Sequence, residues 1–305
     1  MLIFNDKIQL WHVLVIAFIQ GGADGLIAPS FNGLIYDTVG PERLMNAIAL
    51  VLAAFHISWA TGSILAGHLV NTIGIGAAYA LGSIVCLLSV VPLKLMEVSN
   101  ATQAREEPIL RNVVQGIRYV AKHSSLRALL VLSILTEAFG FSYVVMLPVI
   151  AKTVLNVGPK GLGYLTSAGG IGSLIGTAVV ASLSEFKDKW KFLTVGTLSA
   201  GVSILLFAAS PSYQLSLILA AFIGFSLVTY DATINTLLQT LSSDNMRGRV
   251  LGLYGMTWGF TPAGGFVAGS VASMVGAPFA VGLGGVIILA YTLGIIARMN
   301  RTPTS

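Results

Sequence analysis

The stretch FLTVGTLSAGVSILLFAASPSYQLSLILAAFIGFSLVTY, residues 192–230, contains no charged side chain. One helix over it would be nearly twice as long as the roughly 30 Å hydrocarbon core of a bilayer. Ser210-Pro211-Ser212 at its middle is a turn signal, so the run reads as two helices joined by a tight loop. Two more uncharged runs, Met45 to Leu93 and Val250 to Ala297, have the same form. Their central turn signals are Asn71-Thr72-Ile73-Gly74 and Val275-Gly276-Ala277-Pro278.

Composition agrees with that reading. Of 305 residues, 55% are hydrophobic and 10% are charged, against roughly 25% charged in soluble domains. A soluble core cannot absorb so much apolar sequence, so lipid is the solvent for most of these side chains. Lipid offers nothing to unpaired backbone groups, which makes the spans helical. Working outward from residues 192–230, the chain reads as nine spans at 10–34, 46–70, 74–95, 126–150, 161–183, 191–209, 213–238, 248–272 and 278–298. The expected fold is all-α, a polytopic membrane helix bundle. Residues 1–96 form a three-helix partial bundle, 97–125 a central loop, and 126–305 a six-helix bundle.

Within the loop, Ile109, Leu110, Val113, Ile117 and Val120 share one helical face, and Arg111, Arg118 and Lys122 another. This predicts an amphipathic helix lying on the membrane surface. Of the 17 Lys and Arg residues, only Lys7, Lys152 and Lys160 fall on one side of this topology. The positive-inside rule then puts the C-terminus in the cytosol and the N-terminus outside, in the inner or plasma membrane. The pI near 9.4 is explained by these loops and implies no nucleic-acid partner. Cys86 is the single cysteine, so no disulfide forms within the chain. The first residues lack the basic segment of a signal peptide.

Three segments carry a family resemblance. Asp37-Thr38-Val39-Gly40-Pro41-Glu42-Arg43-Leu44-Met45-Asn46-Ala47 resembles the cytoplasmic link after the fourth helix of major facilitator drug exporters. Asn235-Thr236-Leu237-Leu238-Gln239, followed by Asp244-Asn245-Met246-Arg247-Gly248-Arg249-Val250, resembles the link between helices ten and eleven. Gly161-Leu162-Gly163-Tyr164-Leu165 with Gly169-Gly170-Ile171-Gly172 resembles the eighth helix. The branch it looks closest to is the drug:proton antiporters, which includes siderophore exporters. The resemblance implies a major-facilitator-like fold in which this sequence supplies helices four to twelve of twelve. Where that branch has Gly-Pro in helix five, this chain has Gly62-Ser63. The family's first three helices are not in this sequence. A misassigned start, a gene fragment or a partner that supplies the rest each accounts for that.

Candidate functional residues are acids at membrane depth. Asp24, Glu137 and Asp231 lie in apolar spans with no Lys or Arg beside them in sequence. An intramembrane charge costs roughly 3 kcal/mol or more, so such acids face a bundle interior or a cavity. A carboxyl that gains and loses a proton is what a proton-coupled exporter requires. Gln20 and Asn32 share a stripe with Asp24, and Asp231, Asn235 and Gln239 follow i, i+4, i+8 on one face. His56 sits mid-helix near Trp59 and Ser63. Each of these could instead be a packed side chain bonded to a neighbouring helix. Asp244, Arg247 and Arg249 form a candidate cytoplasmic gate, by the resemblance a charge latch; Glu185, Lys187, Asp188 and Lys189 occupy the corresponding link between helices eight and nine, a weaker match. Small residues recur four apart at Gly21/Gly25, Ser63/Gly67, Gly172/Gly176, Gly255/Gly259 and Gly265/Gly269, as close helix packing requires.

No phosphate-binding loop, zinc-binding His pair or nucleophile elbow occurs, so an enzyme and a resident cofactor or metal are not expected. The reading is a secondary active transporter, proton-coupled and exporting small amphipathic molecules, with lipid, protons and a small-molecule substrate as partners. A truncated, non-transporting membrane protein or interaction subunit is the alternative. A green fluorescent protein fused after Ser305 is expected to fluoresce, and alkaline phosphatase at the same point to be inactive; the reverse pattern overturns the orientation.

Overall fold

Backbone groups in lipid must close their own hydrogen bonds, and every long element of the chain does so as helix. The computed structural model describes residues 9–95, 109–182 and 188–301, with no strand among them. In chain order the elements are α1 (Leu10–Thr72), α2 (Ile75–Leu95), α3 (Ile109–Lys122), α4 (Ser124–Leu135), a π turn (Thr136–Gly140), α5 (Ser142–Thr153) and α6 (Pro159–Ser182). Then follow α7 (Lys189–Ala209), α8 (Tyr213–Leu241), α9 (Asp244–Thr257), α10 (Phe260–Val275) and α11 (Ala277–Arg301).

Among the described residues, six segments are long and apolar enough to cross a membrane, counting Ser124–Thr153 as one. The protein is an all-helical, multi-pass membrane bundle. The other three expected spans are arranged differently from the sequence reading. Residues 10–34 and 46–70 are not separated by a loop; they are two parts of the continuous helix α1. A hairpin would need its two arms to pack on each other, and the described side chains from Leu14 to Gln20 are exposed. A helix of 63 residues is about 95 Å long at about 1.5 Å per residue, some three times the hydrocarbon thickness.

The expected span 248–272 is split into α9 and α10 at Trp258-Gly259. Pro262 has no N–H to offer the carbonyl of Trp258, and its ring crowds that carbonyl, so the helix cannot run through. The expected span 126–150 is likewise interrupted, by the π turn, where the Phe141 amide reaches back five residues to the Thr136 carbonyl at 3.0 Å. One extra residue is thereby accommodated without ending the helix.

Helices α6, α8, α7, α11 and α10 pack in that order, each on the next, and the α4–α5 segment touches both α6 and α10. Two buried clusters fill the interior. One gathers Tyr143, Ile150, Leu165, Ile204, Phe207 and Ile223. The other gathers Leu126, Leu129, Tyr230, Ile234, Leu238 and Val250 toward the opposite end. Helix α1 lies on α6, and α2 rests on α1 with its side chains from Tyr79 to Pro92 exposed.

Close helix approach depends on missing side chains. A Cβ on Gly172 would lie 1.8 Å from the Ala221 carbonyl oxygen, and one on Gly264 would lie 1.7 Å from that of Ala138. Gly163 meets Ser63 in the same way where α1 crosses α6, 2.5 Å from its carbonyl oxygen. Gly21 and Gly255, by contrast, face open space, so those two recurrences are not packing contacts within the described residues. Gly172→Ala is expected to destabilise the bundle by about 1–3 kcal/mol through overpacking. Gly252→Ala, with nothing within 4 Å of its Cβ, is expected to leave stability unchanged or slightly raised; thermal unfolding of both variants in detergent checks the contrast.

Candidate functional site

The helix irregularities bring polar side chains into the interior. The π turn sets Thr136 and Glu137 on the bundle side of the α4–α5 segment, where both are buried and Glu137 is 5% exposed. The break at Trp258-Gly259 sets Tyr254 and Thr257 on one side of it and Thr261 on the other. Helix α8 supplies Tyr230 and Asp231 from a third direction.

These groups bond across helices. Thr261 Oγ1 donates to Glu137 Oε2 at 2.7 Å. The Tyr254 hydroxyl donates to Asp231 Oδ1. Ser133 and Thr257 share a hydrogen bond of 2.7 Å, and Thr257 also donates to the Tyr254 carbonyl at 2.7 Å. The Tyr230 hydroxyl and Thr136 Oγ1 are buried without a hydrogen-bond partner. Glu137 lies within electrostatic reach of Asp231. No Lys, Arg or His pairs with either acid among the described residues.

Two carboxyl groups, each held by one hydroxyl, can therefore exchange protons without first breaking an ion pair. A carboxylate with no cation beside it is costly in low dielectric, and a proton is the smallest group that neutralises it.

Asp231 is partly accessible, and the face it begins grades outward. Asn235 is half-buried and Gln239 exposed, and the Gln239 amide donates to Asn235 Oδ1 at 2.5 Å. The three residues expected to line one face of α8 thus form a polar stripe from the interior to one end of the bundle. At that end the three gate residues part company. Arg247 pairs with Asp244 at 2.7 Å and donates to the Gln239 carbonyl at 3.0 Å. Arg249 turns to α3 instead, bonding Asn112 Oδ1 at 3.0 Å.

Of the remaining expected residues, His56 and Gln20 belong to α1. His56 is half-buried on α1, its ring meeting Phe55 edge-on at 5.6 Å. Gln20 is exposed on the same helix. The side chains of Asp24 and Asn32 fall outside the described residues, as do Glu185 and Lys187. Asp188 caps α7, accepting from the Lys191 amide at 3.2 Å. Its hydrogen bonds from Lys191 hold its carboxyl below the ordinary range.

Tyr254 and Thr261 were not singled out from sequence, although a signal existed. Tyr254, Thr257 and Thr261 stand at i, i+3 and i+7, a polar face in an otherwise apolar run just before Pro262. A second contact absent from the sequence reading joins α1 to α6, where His68 Nε2 and the Tyr164 hydroxyl lie 3.0 Å apart. Between α1, α5 and α6 lies a cavity of about 690 Å³ lined by Ser63, Gly67, Pro148, Lys152 and Gly163, among others.

Thr261→Val is expected to destabilise the protein by about 1–3 kcal/mol, because Glu137 Oε2 loses its one donor among the described residues in a buried place. Thr261→Val combined with Glu137→Leu is expected to recover most of that loss, as read by unfolding in detergent.

The chain matches the sequence profile of the Major Facilitator Superfamily over residues 1–266 and 129–304. It is 25% identical to the multidrug efflux pump Tap of Mycolicibacterium fortuitum, over 76% of this chain and 58% of that protein. It is 26% identical to the enterobactin exporter EntS of Escherichia coli, over 86% of this chain and 64% of that one. An uncharacterised transporter of the same superfamily type, YfmI of Bacillus subtilis, is 23% identical over 75% of this chain and 58% of its own length. The chain thus spans about three-fifths of the length of these relatives. Among solved structures, a POT family transporter bound to a thioalcohol-conjugated peptide superposes with a TM-score of 0.60 at 13% identity, covering 91% of this chain and 74% of that one.

Proposed function

Because the chain belongs to the major facilitator superfamily, we propose that it acts as a secondary active transporter that exports small amphipathic molecules in exchange for protons. The observation that carries this reading is the pair of acids, Glu137 and Asp231, each bonded to one hydroxyl and neither paired with a cation among the described residues. Similarity to proteins described as a multidrug efflux pump and an enterobactin exporter supports export of small molecules.

In this proposal Glu137 is the deep proton site and Asp231 the accessible one. Protons travel along the face of Asp231, Asn235 and Gln239, whose exposed end is the basic, cytosolic end by the positive-inside rule. Trp258-Gly259 is the hinge. Turning α9 about it would lift Tyr254 from Asp231 while Thr261, on the α10 side, stays with Glu137. The Asp244–Arg247 pair and its bond to the Gln239 carbonyl latch α9 to the end of α8 in the state described here. Inverted three-helix repeats in this superfamily rock about a central site, which is compatible with a hinge beside the acids.

The test is transport of ethidium by proteoliposomes containing the full chain under an imposed pH gradient. Flux is expected to follow the gradient, and Glu137→Gln, which keeps an acceptor for Thr261, is expected to lower the gradient-driven rate at least about tenfold at equal protein content. Flux indifferent to the gradient refutes the coupling. A folded chain that moves no ethidium in either direction supports the non-transporting reading instead.

A further inference from the structure

Apart from the acid cluster, α3, α4 and α9 enclose a second cavity of about 380 Å³, within the range of small-ligand pockets. Ile117 of α3, Val131 and Ile134 of α4, and Leu253 and Met256 of α9 line it, and Arg127 is the one charged residue on its lining. The cavity opens outward, since Ile117 is 54% and Met256 58% exposed. A soluble protein would not leave such an opening wet; here it faces the membrane.

Its depth in the membrane follows from α3. That helix is apolar along one face and carries Arg111, Arg118 and Lys122 elsewhere, so it lies where acyl chains meet head groups. Charge is one-sided within these three helices. Arg111, Arg118, Lys122, Arg127, Arg247 and Arg249 come from α3, α4 and α9, against the single acid Asp244, which is already paired with Arg247. Arg127 donates to the Ala121 carbonyl at 2.9 Å. That contact engages one of five N–H donors and steadies the guanidinium.

An apolar slot open to acyl chains, beneath a steadied guanidinium in a field of positive charge, matches one class of molecule. We infer that this cleft binds an anionic glycerophospholipid, with one acyl chain against Ile117, Val131, Ile134 and Leu253 and its phosphate at Arg127. Guanidinium groups bind phosphate oxygens in a bidentate manner, and a lipid already in the leaflet arrives without crossing water. Occupancy braces α3 against α9, a seam already joined by the Arg249–Asn112 bond and by Gly116, which faces Leu253 and the Arg249 carbonyl.

The test is native mass spectrometry of the full chain, delipidated in mild detergent and given equal amounts of phosphatidylglycerol and phosphatidylcholine with identical acyl chains. Phosphatidylglycerol is expected to be retained at least about fivefold over phosphatidylcholine. Arg127→Gln is expected to abolish that preference. Ile117→Trp fills the slot without touching the guanidinium or its bond to Ala121, and is expected to lower retention of both lipids. Equal retention of the two lipids by the unaltered chain overturns the assignment, as does a preference that survives both substitutions. Displacement of bound lipid by ethidium at equal concentration would assign the slot to the transported molecule and also overturns it. The readout is mass, with no flux, so its failure is distinguishable from failure of the proton-coupling proposal.

Discussion

Hydrocarbon supplies no hydrogen-bond partner, so every polar group taken into the bundle must find one in the protein. Regular helix meets that demand for the backbone, and each departure from it must be answered locally. The π turn and the Trp258-Gly259 break are two such departures, and they lie against each other. Gly264, just past the break, backs directly onto the carbonyl of Ala138 in the π turn. Gly284 of α11 meets the carbonyl of Phe139 in the same way. Glycine thus lets two helices close on the irregular backbone of the π turn.

The same constraint explains which side chains gather there. Hydroxyl groups from Ser133, Tyr254, Thr257 and Thr261 supply short-range donors where the helices part. Of these, Thr261 holds Glu137 and Tyr254 holds Asp231 without supplying charge. An arginine in their place would form a buried ion pair whose rupture costs several kcal/mol. Hydroxyl partners leave the carboxyls positioned and chemically free. The polar face of α8 runs from Asp231 toward the end of the bundle, where Asp244 pairs with Arg247 beside the carbonyl of Gln239.

At that end α3 is joined to the rest by polar and glycine contacts, with an apolar cavity left between them. Arg249, expected to act with Asp244 and Arg247, serves this seam through Asn112. Residues adjacent in sequence therefore have different tasks. Positions 247 and 249 are about 200° apart around a helix at 3.6 residues per turn, so one faces α8 and the other α3.

The uncharged runs, the basic turns and the amphipathic stretch 109–120 were enough to read a helical membrane bundle and its family from the residue order, because lipid solvation acts on composition and period. Glu137 and Asp231 were legible for the same reason: a carboxyl is conspicuous where hydrocarbon penalises it. Their hydroxyl partners were not, since Tyr254 is 23 residues from Asp231 and Thr261 is 124 residues from Glu137 in the chain, and only helix packing brings such groups together. Nor was the continuity of α1 legible, because a polar link becomes a turn only when the arms it joins have something to pack against. Residue chemistry settled which groups could not face lipid; the folded arrangement settled which groups they would meet, because contact depends on where helices break and cross.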